Sequence, residues 1–66
     1  MKLKKFLTKI YKGNYIELIK DGKCIGSGIP SVFVEVMKKE IMNMQIKEIK
    51  PVNEETVEIF IGEKNG

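Results

Sequence analysis

Apolar residues recur along this chain with two periods, and the periods divide it into six segments. Leu3, Phe6, Leu7, Ile10 and Tyr11 follow the spacing i, i+3, i+4, i+7 and i+8. That spacing gathers side chains on one face of an α-helix. It predicts a helix over residues 3–12 with Phe6 as its core anchor. Lys2, Lys4, Lys5, Lys9 and Lys12 fall on the opposite side. Gly13 is expected to stop the helix, because glycine accepts the left-handed conformation of a helix C-terminus.

Tyr15-Ile16-Glu17-Leu18-Ile19 is a run of strand formers, and the Asp21-Gly22 pair after it favours a type I′ hairpin turn. Residues 23–26 read as the returning strand, ended by Ser27-Gly28-Ile29-Pro30. Residues 31–42 fit two patterns. Val32, Val34 and Val36 alternate as in a strand, whereas Phe33, Val36, Met37 and Ile41 suit a helix with Pro30 in its first turn. Length decides for helix, since twelve residues exceed an ordinary strand of about 5–6. Residues 44–49 read as a strand in which the three-residue step from Ile46 to Ile49 implies a bulge or an early end. Pro51–Glu55 is a turn, and residues 56–61 form the clearest strand, with Val57, Ile59 and Ile61 on one face.

The order is α-β-β-α-β-β. It predicts an α+β domain over residues 1–62: a four-stranded, mainly antiparallel sheet with two helices on one face, followed by a frayed tail over 63–66. The strands at 15–19 and 56–61 are apolar on both faces and belong in the centre. Those at 23–26 and 44–49 carry more polar residues and belong at the edges.

Composition narrows the chemistry. A chain of 66 residues buries only about 60% of its unfolded surface, so its net stability is small. Cys24 is the single cysteine and histidine is absent, so neither an internal disulfide nor a zinc site can supplement the core. Association with a second copy or with a partner is the expected support. No apolar run approaches the ~20 residues of a membrane span, and the first twelve residues lack the apolar stretch of a signal peptide. A free thiol without a signal peptide suits the reducing cytosol.

Fragments of the chain, KLxxFL, YIEL, DGKxIxxG, IP, IxxIxP and VEIxI, resemble a class of small proteins from phages, prophages and mobile elements of Gram-positive bacteria. The likeness runs from Lys2 to Ile61 and rests on turn and core positions such as Gly22, Gly28, Pro30 and Pro51. It carries no catalytic residues. It implies a non-enzymatic accessory protein of the host cytosol that acts by protein–protein interaction, small inhibitors of host defence such as anti-CRISPR proteins included.

Candidate sites follow from charge and alternation. No catalytic, metal or cofactor site is expected. If Ile16, Leu18, Val57, Ile59 and Ile61 face the helices, then Tyr15, Ile19 and Phe60 share the other face, with Glu17 and Glu58 as a polar rim. Aromatic residues are common interface anchors, so this patch is the expected contact with a second copy or a host protein.

The lysine side of the first helix is the alternative. Residues 1–13 carry five Lys and no acid, while residues 14–66 carry seven Lys against nine acids. Lys2, Lys4, Lys5, Lys9 and Lys12 could meet nucleic-acid phosphates. The absence of Arg and the need to bury the apolar side of this helix argue for a solvated face, and against a membrane.

Weaker signals have plainer readings. Gly26-Ser27-Gly28 lacks the Lys-Ser/Thr of a phosphate loop and reads as a hairpin exit. Cys24 lacks a base and reads as a small half-buried residue. Glu54, Glu55 and Glu58 lack the loop spacing of a cation site. Met37, Met42 and Met44 suit either core filling or an adaptable surface. A third class of function is sequestration of a nucleotide or signalling molecule between protomers.

Overall fold

The computed structural model describes residues 1–62; the tail expected over 63–66 lies outside the described residues. The chain forms α1 (Leu3–Lys5), continued directly by a π-helical turn over Phe6–Ile10, then β1 (Tyr15–Lys20) and β2 (Lys23–Gly28). Next come α2 (Pro30–Val36), α3 (Lys39–Met42), β3 (Gln45–Pro51) and β4 (Thr56–Gly62). This is the predicted α+β order, with the helical pieces gathered on one face of one sheet.

The strand order is β2-β1-β4-β3. Both outer pairs are antiparallel and the central pair, β1 with β4, is parallel. The two most apolar strands are the central ones, as their composition predicts, because only central strands are flanked on both sides. A parallel pair needs a long connection, and the helical pieces and β3 supply it. Asp21 and Gly22 both take positive φ, 53° and 76°, as a type I′ turn demands.

Two irregularities set which side chains face the helices. The β3–β4 register skips Lys47 between Ile46 and Glu48: of the two readings of the Ile46–Ile49 spacing, a bulge or an early end, the strand takes the bulge. It lets Ile46 stand opposite Ile61 and Ile49 opposite Ile59. A second skip at Ile25 places Gly26 beside Leu18 and Gly28 beside Ile16. The small residues of β2 thereby lie under α2, where the Phe33 ring comes within 3.4 Å of the position a Gly26 Cβ would take. Leu3, Phe6, Leu7, Ile16, Leu18, Phe33, Met42, Ile59 and Ile61 form the buried core.

Several boundaries differ from the sequence expectation. The first helix ends at Ile10, not at residue 12, and its second half is a π turn closed by Tyr11 N–H donating to the Phe6 carbonyl at 2.8 Å. Thr8 Oγ1 donates to the Lys4 carbonyl at 2.8 Å, a side-chain bond that competes with the α-helical ladder there. The wider turn brings Tyr11, five residues on, beneath Phe6, with ring centroids 5.6 Å apart. It also rotates Ile10 away from the core, to 45% exposure, so the α-helical spacing places that residue wrongly. Gly13 does not take positive φ; its missing Cβ instead makes room for the Tyr11 ring.

The helix expected over 31–42 is broken. Met37 and Lys38 are extended, with ψ of 146° and 148°. β-branched valines and the lack of a side-chain N-cap make α2 weak by propensity. Its register is held by Phe33, while Val36 points outward at 69% exposure. The break turns Met37 down onto Gly26. Ser27 and Gly28 belong to β2, opposite Glu17 and Ile16, so they are strand residues and not a hairpin exit. Pro51 likewise pairs with Val57 and extends β3 into the expected turn, while Gly62 is a buried strand residue of β4.

Candidate functional site

Strand alternation gives the sheet two unlike faces. Ile16, Leu18, Ile59 and Ile61 point to the helices and are buried. Tyr15, Glu17 and Ile19 point the other way, and the parallel register sets them beside Thr56, Glu58 and Phe60 respectively. All five residues expected at an interface, Tyr15, Ile19, Phe60, Glu17 and Glu58, therefore stand on one open face. Helical pieces pack on the opposite face of the sheet, so Tyr15 is 39% exposed and the other four are half-buried by their neighbours in the sheet.

The chemistry of this face is mixed in a definite order. Ile19 and Phe60 make an apolar centre. Glu17 and Glu58 are cross-strand partners, two carboxylates on strands about 4.8 Å apart, an arrangement that like-charge repulsion disfavours. The β3 edge brings the opposite sign. Lys50 stands opposite Glu58, with its ammonium 3.9 Å from a Glu48 oxygen and 5.3 Å from the centre of the Phe60 ring, within the reach of a cation–π contact. The Lys47 stem lies against Gly62. On the β2 side, Tyr15 Oη donates to Ser27 Oγ at 3.4 Å. Glu48 and Lys50 escape a reading by strict alternation from Ile46, because the bulge at Lys47 changes which way they point.

The lysines divide between two places. Lys2, Lys4, Lys5 and Lys9, with Thr8 and Asn43, line one open groove of about 310 Å³ on the outer side of the helix layer. Lys12 lies apart from these four, on a wider groove of about 590 Å³ between the first helix and α2 that Leu7, Tyr11, Pro30 and Val34 also line. Among the described residues the ion pairs are Lys20 with Asp21 and Lys50 with Glu48, so none of the five engages an acid.

The weaker signals resolve as structure. Asn53 Oδ1 accepts from the N–H groups of Glu55 and Thr56 at 2.8 and 2.9 Å, which makes residues 53–56 a side-chain-closed turn. Met42 is buried, and Met37 and Met44 pack against the core. Cys24 is exposed, not half-buried as expected, because it lies on the open face beside Ile19. Tyr11 Oη donates to the Tyr15 carbonyl at 3.0 Å and ties the π turn to the start of β1. Among the described residues no group of three potential metal ligands converges, and no helix is long and apolar enough to cross a membrane.

No protein-family model, no curated protein and no solved structure matches the chain.

Proposed function

We propose that this is a non-enzymatic interaction protein, a small accessory factor of the phage or mobile-element kind. In this reading it acts in the host cytosol on a protein, a component of host defence among the candidates, and not on a small substrate. The observation that carries the reading is the open sheet face, where Ile19 and Phe60 make an apolar centre beside Tyr15 on the helix-free side. Aromatic side chains offer large contact area at small entropic cost, which is why they anchor interfaces.

The partner this face fits has an apolar centre and basic groups placed to meet Glu17 and Glu58. A second copy offers the same apolar centre of Ile19 and Phe60, with its own Lys47 and Lys50 on the β3 side of the face. A domain this small gains the burial it lacks by packing sheet against sheet.

The test is Phe60→Glu, read by light scattering, circular dichroism and retention of host proteins. The expected result is a wild-type dimer that the substitution dissociates without loss of helix or strand signal, together with loss of a host protein that the wild type retains. A wild type that stays monomeric at millimolar concentration, with Phe60→Glu retaining every partner normally, removes the open face from consideration.

A further inference from the structure

The helix layer presents a second surface that protein docking on the sheet does not use. The stems of Lys2, Lys4, Lys5 and Lys9 line one groove with Thr8 and Asn43, and among the described residues its lining holds no acid. The groove is built by the fold. The Lys2 backbone is pinned to the start of β3 through its bridge to Gln45. Lys9 comes from the π turn over Phe6–Ile10, and Lys4 and Lys5 come from α1 just before it. Asn43 closes the far side from the end of α3, held by its own N–H donating to the Lys39 carbonyl at 2.9 Å. Lysines at i, i+3 and i, i+4 repel one another, and an anion bound among them relieves that repulsion.

We infer that this groove binds the phosphate backbone of double-stranded nucleic acid, independently of sequence. Lysine delivers point charges and lacks the planar fork with which Arg reads guanine, so the contact is to phosphates and not to base edges. Single strands are held by stacking bases on exposed aromatic rings. The aromatic residues of this layer are already committed: Phe6 and Phe33 are buried, and Tyr11 is stacked on Phe6.

Seven residues separate Lys2 from Lys9, about 10 Å along a helix. A DNA strand advances about 3.4 Å along the duplex axis per phosphate, so the groove spans about three phosphates. The lysine face lies on the helix layer, on the side of the sheet opposite Phe60, so a duplex and a protein partner can be held at the same time.

The test uses a 20-base-pair DNA duplex and the full chain. At about three phosphates, log K is expected to fall against log salt with a slope of about −2.7. Lys4→Gln with Lys5→Gln and Lys9→Gln should lower affinity at least about tenfold at low salt and flatten the slope to about −1 or less. A control that removes the same charge elsewhere, Lys20→Gln with Lys23→Gln and Lys38→Gln, should keep the slope. Phe60→Glu should leave duplex binding unchanged, so failure of the sheet-face reading and failure of this one are distinguishable. The inference is overturned if no complex forms at ~50 mM salt, if both triple variants weaken binding equally, or if a single strand of the same length binds more tightly than the duplex.

Discussion

The two faces of this sheet are made by the same strands and differ in almost every other respect. On the helix side, Ile16, Leu18 and Ile59 are aliphatic and fully buried. On the open side, their chain neighbours Tyr15, Glu17, Ile19 and Phe60 mix aromatic, acidic and aliphatic groups. A side chain one residue along a strand moves from one environment to the other. The helix side is bound by packing and the open side is not. The helix face is shaped by packing, which tolerates only apolar groups of the right volume. The open face places a carboxylate pair side by side and an apolar pair next to it, which packing of this chain alone does not require.

Substitutions of adjacent residues of β1 separate the two faces most clearly. Leu18→Ala should cost about 2–5 kcal/mol, most or all of the stability of a domain this small. Ile19→Ala, one residue on, should cost about 1 kcal/mol, because its side chain is only half-buried. Thermal unfolding followed by circular dichroism measures both; equal losses would mean that the open face is covered in the folded chain.

A matched pair on β2 sharpens the contrast. Gly26→Val should destabilise by about 1–3 kcal/mol through overpacking, since even a Cβ there comes 3.1 Å from Met37 Cε and 3.4 Å from the Phe33 ring. Ser27→Val, on the open face, should be neutral or slightly stabilising, as valine favours strands. Denaturant midpoints of the two variants should therefore move apart.

The seam between the layers should show an intermediate effect. Tyr11→Phe keeps the stack on Phe6 and removes the hydroxyl bonds to the Tyr15 and Glu55 carbonyls. A loss of about 0.5–1.5 kcal/mol is expected, with the amide of Tyr15 exchanging faster with solvent. The smallest change belongs to Cys24→Ser. An exposed residue of the open face should alter stability by no more than about 0.5 kcal/mol, and partner retention should be unaffected. Loss of partner binding with the fold preserved would instead give the thiol a direct role.

Much of the fold is legible in local pattern. Alternation marks the strands, Asp21-Gly22 marks the hairpin, and the Ile46–Ile49 step marks an irregularity in β3, because each is decided by a few neighbouring residues. The apolar content of residues 15–19 and 56–61 marks the centre of the sheet, since burial on both sides acts on the whole strand. The open-face residues are legible for the same reason: once the helix face of a strand is known, its other face follows.

Local pattern thus accounts for the four strands, the centre and edges of the sheet, and the division of β1 and β4 into two faces. The helical pieces and the pairing depend on contacts between elements. Residues 3–12 read as a regular α-helix, yet Tyr11 stacks on Phe6 and bonds to strand carbonyls distant in sequence, and that reward widens the last turn and turns Ile10 outward. Residues 31–42 read as one helix, yet Phe33 and Met37 must both reach the glycines of β2, which a straight helix with weak propensity gives way to satisfy. The parallel pairing of β1 with β4, the joining of β3 lysines to the open face, and the gathering of four N-terminal lysines with Asn43 depend on contacts between segments far apart along the chain. Local periodicity carries no term for such contacts, because their free energy appears only when the segments meet.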